Sequence, residues 1–169
     1  MVSSDIIREE VFLEKEVIEV TKKYLQANGY TIIYEGKRKG PDLVAYNSVK
    51  NELLIIEVRG VPTRVKIRGR DKGKPKKKST IANQFWGWPA KVLVELMERE
   101  YEWIHKSVHW VTEVIEKVDV HKSAVKYVGV FGYDKRYLDV LEKRKYALSR
   151  LGYEFWLIDK ESNVRHRYT

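Results

Sequence analysis

The sequence predicts an α/β fold, a mixed central β-sheet flanked by helices, in a single domain over residues 1–169. Three observations carry this. Apolar spacing switches between a period of 3.6 and a period of two, giving the order helix, three strands, helical region, strand, helix, strand. The stretch from Pro41 to Arg59 has the form of a β-hairpin, two apolar arms joined by a short polar turn. The final third reads strand, helix, strand, the pattern of a parallel pair with a right-handed crossover. A meander followed by such a crossover makes a sheet of mixed direction.

The first helix is expected from about Ser4 to Asn28, capped by Ser3 or Ser4 and stopped by Gly29. Ile7, Val11, Val17, Ile18, Thr21, Tyr24 and Leu25 share one side of it, and Glu9, Glu16 and Glu19 the opposite side. Glu14 falls inside the apolar stripe, with Glu10 one turn earlier on its flank. A carboxylate facing a core needs a partner. Tyr30 to Glu35 is an aromatic and β-branched strand, followed by the basic turn Gly36-Lys37-Arg38-Lys39-Gly40. The hairpin comes next.

A long helix then starts at a cap on Ser79 or Thr80 and runs to Met97, with Pro89 kinking it or beginning its main part. Trp86 and Trp88 read as core where helix meets sheet, with a base-stacking platform as the alternative. Helix continues to about Val118 on both sides of a break near Ser107. His105 and His109 have metal-ligand spacing but lack a zinc-protease glutamate, and read as surface or interface residues. Lys126 to Tyr133 is a buried strand, and Asp134 to Arg150 one helix with Tyr137, Leu138, Leu141, Tyr146, Leu148 and Leu151 apolar. Tyr153 to Ile158 is the last strand, and Asn163 onward a tail. Asn28-Gly29-Tyr30 and Leu151-Gly152-Tyr153 repeat one device, a helix ended by a left-handed glycine before an aromatic strand.

Composition bounds the function. The chain has no cysteine, which excludes disulfides and thiolate metal sites. The start Met-Val-Ser-Ser-Asp has no signal-peptide core and no apolar run reaches bilayer length, so a soluble cytoplasmic protein without a membrane partner is expected. Charged residues make up 34%, rich in Lys and Glu, a composition that points toward a thermophile. A formal net charge of +9 favours polyanionic partners. That charge concentrates between Arg64 and Lys78, where one acid faces many bases and Gly69, Gly73 and Pro75 resist regular structure. A flexible basic loop over 64–80 is expected. Arg64, Lys66, Arg68, Arg70, Lys76, Lys77 and Lys78 are candidate phosphate contacts, joined by Lys37 and Lys39 before the hairpin. The plain alternative is a solubilising loop.

Within the hairpin, a period of two puts Glu57 and Arg59 on one face and Val58 on the other. The hairpin can bring Asp42 near Glu57. Neighbouring carboxylates repel unless a proton or a cation intervenes, and carboxylate oxygens are the ligands Mg²⁺ prefers. The alternative is a turn-capping Asp42 and a surface ion pair at a strand end.

Pro41-Asp42 followed after one hairpin by Glu57-Val58-Arg59 resembles the Pro-Asp and Asp/Glu-x-Lys signature of the PD-(D/E)xK nuclease superfamily, the restriction-endonuclease-like fold. Arg59 departs from it, since the family has lysine there. The predicted order matches that family's αβββαβ core over roughly residues 4–159, and the likeness is to its uncharacterised prokaryotic branch. The resemblance implies a metal-dependent endonuclease that hydrolyses phosphodiester bonds in DNA. Mg²⁺ (or Mn²⁺) would be held by Asp42, Glu57 and the Val58 carbonyl. Glu14, with Glu10 as runner-up, would be supplied from the first helix; the alternative is a helix-edge glutamate that reaches water. Gln84, with Trp88 a turn later, looks like the glutamine that several branches carry on the helix after the Glu-x-Lys strand. The implied catalytic set is Glu14, Asp42, Glu57, Arg59 and Gln84. Many relatives pair as homodimers, and a homodimer is compatible with this chain. Arg59 can stabilise phosphate charge but cannot act as a base near neutral pH, so Lys66 or Lys39 would be the substitutes for the family lysine. Two further readings stay open: a catalytically weak or inactive DNA-binding accessory protein of this fold, and a basic RNA-binding protein.

Overall fold

A computed structural model describes residues 11–36, 39–119 and 123–169. Its elements are α1 (Glu14–Ala27), β1 (Thr31–Glu35), β2 (Leu43–Asn47), β3 (Glu52–Arg59), α2 (Lys78–His105), α3 (His109–Lys117), β4 (Ala124–Gly132), α4 (Lys135–Glu142), α5 (Lys145–Leu151), β5 (Glu154–Ile158) and β6 (Val164–Tyr168). The strands form one sheet in the order β1-β2-β3-β4-β5-β6. The first three make an antiparallel meander, β3-β4-β5 are parallel, and β6 returns antiparallel to β5. The expected mixed α/β sheet is present.

Strand β3 is central and buried along all but its end residues. Central strands covered on both faces lose the alternation of a half-exposed strand, which is why Leu53-Leu54-Ile55-Ile56 is continuously apolar. Leu53 and Ile55 belong to the core with Phe85, Val92 and Leu96 of α2 and Val111 and Val114 of α3. Leu54, Ile56 and Val58 belong to the opposite core with Val17, Val20 and Leu25 of α1. Helices therefore cover both faces. Glu57 and Arg59 share the α2 face by the same alternation.

Several boundaries differ from the sequence reading. Helix α1 opens at Glu14, not near Ser4; Leu13 is extended and Phe12 is buried in the core. The Val61 amide donates to the Phe12 carbonyl at 2.8 Å. A side chain on Gly60 would come within 2.5 Å of the Glu14 nitrogen. The chain thus crosses the end of β3 at residues 12–14, and the helix starts only beyond that crossing. Ser3, Ser4, Ile7, Glu9 and Glu10 lie outside the described residues, as does Lys37. Glu14 is an exposed residue of the first helical turn, so the reading of a core-facing carboxylate is corrected.

Helix α2 is capped at Lys77 rather than at Ser79 or Thr80, and runs unbroken through Pro89 to His105. Lys106 ends it in a left-handed conformation, and α3 follows, matching the break expected near Ser107. Trp88 packs against the core, but Trp86 is exposed beneath the Arg144 guanidinium, 4.6 Å from its ring. His105 and His109 are at the surface as expected. The expected single helix after Asp134 is two, α4 and α5. Asp134 caps α4 by accepting from the Arg136 amide, and α5 turns to bury Leu148 while Tyr146 and Leu151 stay exposed. The expected tail is β6. Asp159 accepts from the amides of Glu161 and Asn163 and folds the chain back, burying Tyr168. Gly29 and Gly152 do hold left-handed conformations, at φ 84° and 74°.

The basic segment, expected to be irregular beyond a short extended piece near Thr63 to Arg68, doubles back as a short arm over 64–76 before α2 begins at Lys78. Lys76 donates to Arg64, Lys66 to Lys74 and Gly73 to Lys66 through the backbone, around a turn at Gly69 and Gly73. Among the described residues, no helix is long and apolar enough to cross a membrane.

Candidate active site

The β2–β3 register pairs Leu43 with Ile56, which carries Asp42 level with Glu57 one position further. Directly opposed residues of an antiparallel pair point to the same side, about 5 Å apart at Cβ. Asp42 and Glu57 therefore meet on the α2 face, at the carboxyl end of β3. Asp42 Oδ2 accepts from the Val58 amide at 2.7 Å, which fixes its carboxyl across the strand end. Glu57 is 3% exposed, and its Oε1 accepts from Arg99 Nε at 2.6 Å. Arg99 also donates to Glu102 at 2.8 Å, and Glu102 accepts from the Trp110 indole.

Arg59 completes the group. Its Nη1 donates to the Val58 carbonyl at 2.8 Å and lies 3.7 Å from Glu14. Its Nη2 is clasped by both oxygens of Glu95, on α2. Arg59 thus bridges Glu14 and Glu95, and Arg99 bridges Glu57 and Glu102. Burial pushes the Glu57 carboxyl up to about 8, with repulsion from Asp42 adding to it and Arg99 opposing. The Glu14 carboxyl is also raised, chiefly by desolvation; Arg59 opposes this, and Asp42 and Glu95 add to it. Asp42 and Glu95 repel both Glu14 and Glu57, each of which also has an arginine beside it.

The donor chemistry fits a hard divalent cation. Asp42, Glu57 and the Val58 carbonyl are all oxygen ligands, the type that Mg²⁺ or Mn²⁺ takes. Among the described residues, no three His, Asp or Glu side chains are gathered as a metal-holding group. Glu57 has to turn from Arg99 to take part, whereas the Val58 oxygen keeps a second lone pair beside Arg59.

The basic arm borders this cluster. Arg68 is near enough to Glu14 to draw its carboxyl down. Lys66 lies 3.6 Å from Asp71 within the arm, and Lys76 donates to Gln84 at 3.1 Å. Gln84 is about 16 Å along the helix from Glu95 at 1.5 Å per residue, and its bonded partner is Lys76 of the arm. Arg64, Arg70, Lys77 and Lys78 are exposed on the arm and at the start of α2. Lys39 lies on the other side, in a cleft of about 670 Å³ walled by Tyr34, Arg99, Glu102, His109 and Trp110. A second cleft of about 460 Å³ opens past the carboxyl ends of β3, β4 and β5, where Arg64, Arg136, Lys160 and Arg165 meet Asp134, Asp159 and Glu161. In open sheets with parallel strands, ligand sites collect at that end.

No protein-family model, no curated protein and no solved structure matches this chain. Glu95 and Arg99 were not among the residues singled out in the sequence. Their signal was spacing: Glu95, Arg99 and Glu102 recur at i, i+4 and i+7 beside the buried Val92 and Leu96. Charges flanking a buried stripe that closely need partners from the facing strand.

Proposed function

We propose that this protein is a metal-dependent endonuclease that hydrolyses phosphodiester bonds in DNA, on a domain of the restriction-endonuclease-like kind. The observation that carries the reading is the pairing of Asp42 with Glu57 at the end of β3, two carboxyl groups close enough to repel each other. Mg²⁺ or Mn²⁺, when bound, supplies a water of lowered pKa and polarises the phosphate. Asp42 and Glu57 would hold it with the Val58 carbonyl, Glu57 after turning from Arg99. Glu14, beside Arg59 and with its carboxyl raised chiefly by burial, would serve as the acceptor for the proton of an attacking water. Arg59 stays charged, so its part is to spread donors over the phosphate oxygens after release from Glu95. Nicking of supercoiled plasmid with Mg²⁺ or Mn²⁺ tests the reading. Competition with structured RNA tests the choice of DNA.

One observation favours the second reading, a weak or inactive DNA-binding accessory protein. Arg59 is already spent on Glu95, the Val58 carbonyl and Glu14. Arg59→Lys separates the two. A lysine is a point charge and cannot span all three partners, so the change is expected to raise cleavage roughly tenfold and shift its pH profile. An unchanged rate would mean that the cation at this position contributes little.

The arm's role is read from salt dependence. Neutralised phosphates release counterions, so log Kd varies linearly with log salt. Converting Lys76, Lys77 and Lys78 together to alanine is expected to weaken all DNA sequences alike and flatten that slope by up to about three. A slope that does not move assigns the arm to solubility.

A further inference from the structure

Helix α2 buries one side, Phe85, Pro89, Val92 and Leu96, and leaves a second apolar stripe with no cover. Val94, Met97, Tyr101 and Ile104 are each more than half exposed, and Ala90 lies in line with them at the surface. A side chain built on Gly87 meets nothing within 4 Å. Gly87, Ala90, Val94, Met97, Tyr101 and Ile104 alternate steps of three and four residues, the a/d seam of a coiled coil. Scattered apolar residues on a surface need no explanation, but a seam in heptad register does.

We propose that this seam is a homodimer interface, in which α2 pairs antiparallel with α2 of a second copy. The occupant follows from the seam's own shape. Antiparallel pairing about a two-fold axis between Glu95 and Leu96 sets Gly87 against the second copy's Ile104, Ala90 against its Tyr101 and Val94 against its Met97. The smallest residues thus meet the largest at both ends, and the medium pair meets at the centre. A parallel pairing would instead stack Tyr101 on Tyr101 and leave a gap at Gly87. Charge agrees. Lys91 and Glu98 are exposed on the same flank of the seam, and this geometry brings each Lys91 to within about 3 Å along the axis of Glu98 of the other copy, within reach of both long side chains, twice by symmetry. The contact spans about 26 Å of helix at 1.5 Å per residue. The inference does not depend on the nuclease reading.

The chain has no cysteine, which makes cross-linking clean. Full-length Gly87→Cys and Ile104→Cys chains, mixed and oxidised, are expected to form a disulfide-linked heterodimer, while neither variant links to itself. Light scattering on the natural protein at tens of micromolar is expected to give a dimer mass. Lys91→Glu is expected to weaken the dimer roughly tenfold by setting like charges opposed, and adding Glu98→Lys to restore it. Circular dichroism checks that each variant stays folded. A monomer mass at 100 micromolar, or cross-linking of either variant with itself in place of the mixture, overturns the proposal.

Discussion

Asp42→Asn is expected to abolish cleavage while leaving the fold standing. Asp42 does two jobs that can be separated. Its Oδ2 accepts from the Val58 amide and ties the entry of β2 to the end of β3. Its charge supplies half of the acidic pair. Asparagine keeps an acceptor oxygen for the Val58 amide but carries no charge, so the strand end stays tied and the cation loses a ligand. Several kcal/mol of transition-state stabilisation from the metal then disappear, and plasmid nicking is expected to fall by roughly 10³-fold or more. Asp42→Ala removes the acceptor as well and leaves a backbone donor unpaired, at a further stability cost of about 1–3 kcal/mol in chemical denaturation. DNA affinity is expected to hold or rise in both, because a negative charge near the phosphates is gone. Cleavage that survives Asp42→Asn would remove Asp42 from the chemistry and with it the assignment of the active site to the end of β3.

The fold was legible where local chemistry and burial agreed. The meander, the parallel pair and both left-handed glycines followed from period-two runs and from helix stops that no other residue makes easily. Strand β6 was hidden because Arg165, His166 and Arg167 mask its alternation; only Val164 and Tyr168 turn inward, and the turn at Asp159 sets the register. The start of α1 was hidden for a different reason. Its apolar spacing continues upstream through Val11, and what ends the helix is a tertiary event, the passage of residues 12–14 over Gly60. At the site, the hairpin spacing was enough to pair Asp42 with Glu57. It could not say that Glu57 and Arg59 would face Arg99 and Glu95, because no strand pattern says which turn of a distant helix lies over it. Gln84 shows the same limit from the other side. Its position on the helix after β3 was right, but its bonded partner is Lys76 of the arm.

Glu57 makes stability and cation binding depend on pH in a direction that can be worked out. Burial first and Asp42 second push its carboxyl from the ordinary 4.5 up to about 8 in the folded chain. The native state therefore favours the protonated form. Its contribution is fully present below about 4.5 and is lost as pH rises through 8. At about 1.4 kcal/mol per unit of difference, the loss is on the order of 4 kcal/mol. Glu57→Gln keeps the shape and an acceptor for Arg99 but has no charge to bury. The variant is expected to match the natural protein in melting temperature at pH 5 and to exceed it at pH 9. A bound cation favours the ionised carboxylate and so competes with the proton. Mg²⁺ affinity is then expected to climb with pH, by up to tenfold per unit, and to level off above 8. Calorimetry in two buffers of different ionisation heat is expected to show close to one proton released per cation at pH 7 in the natural protein and none in Glu57→Gln. A melting temperature that Mg²⁺ raises equally at pH 6 and pH 9, and equally in the variant, would place the cation away from Glu57.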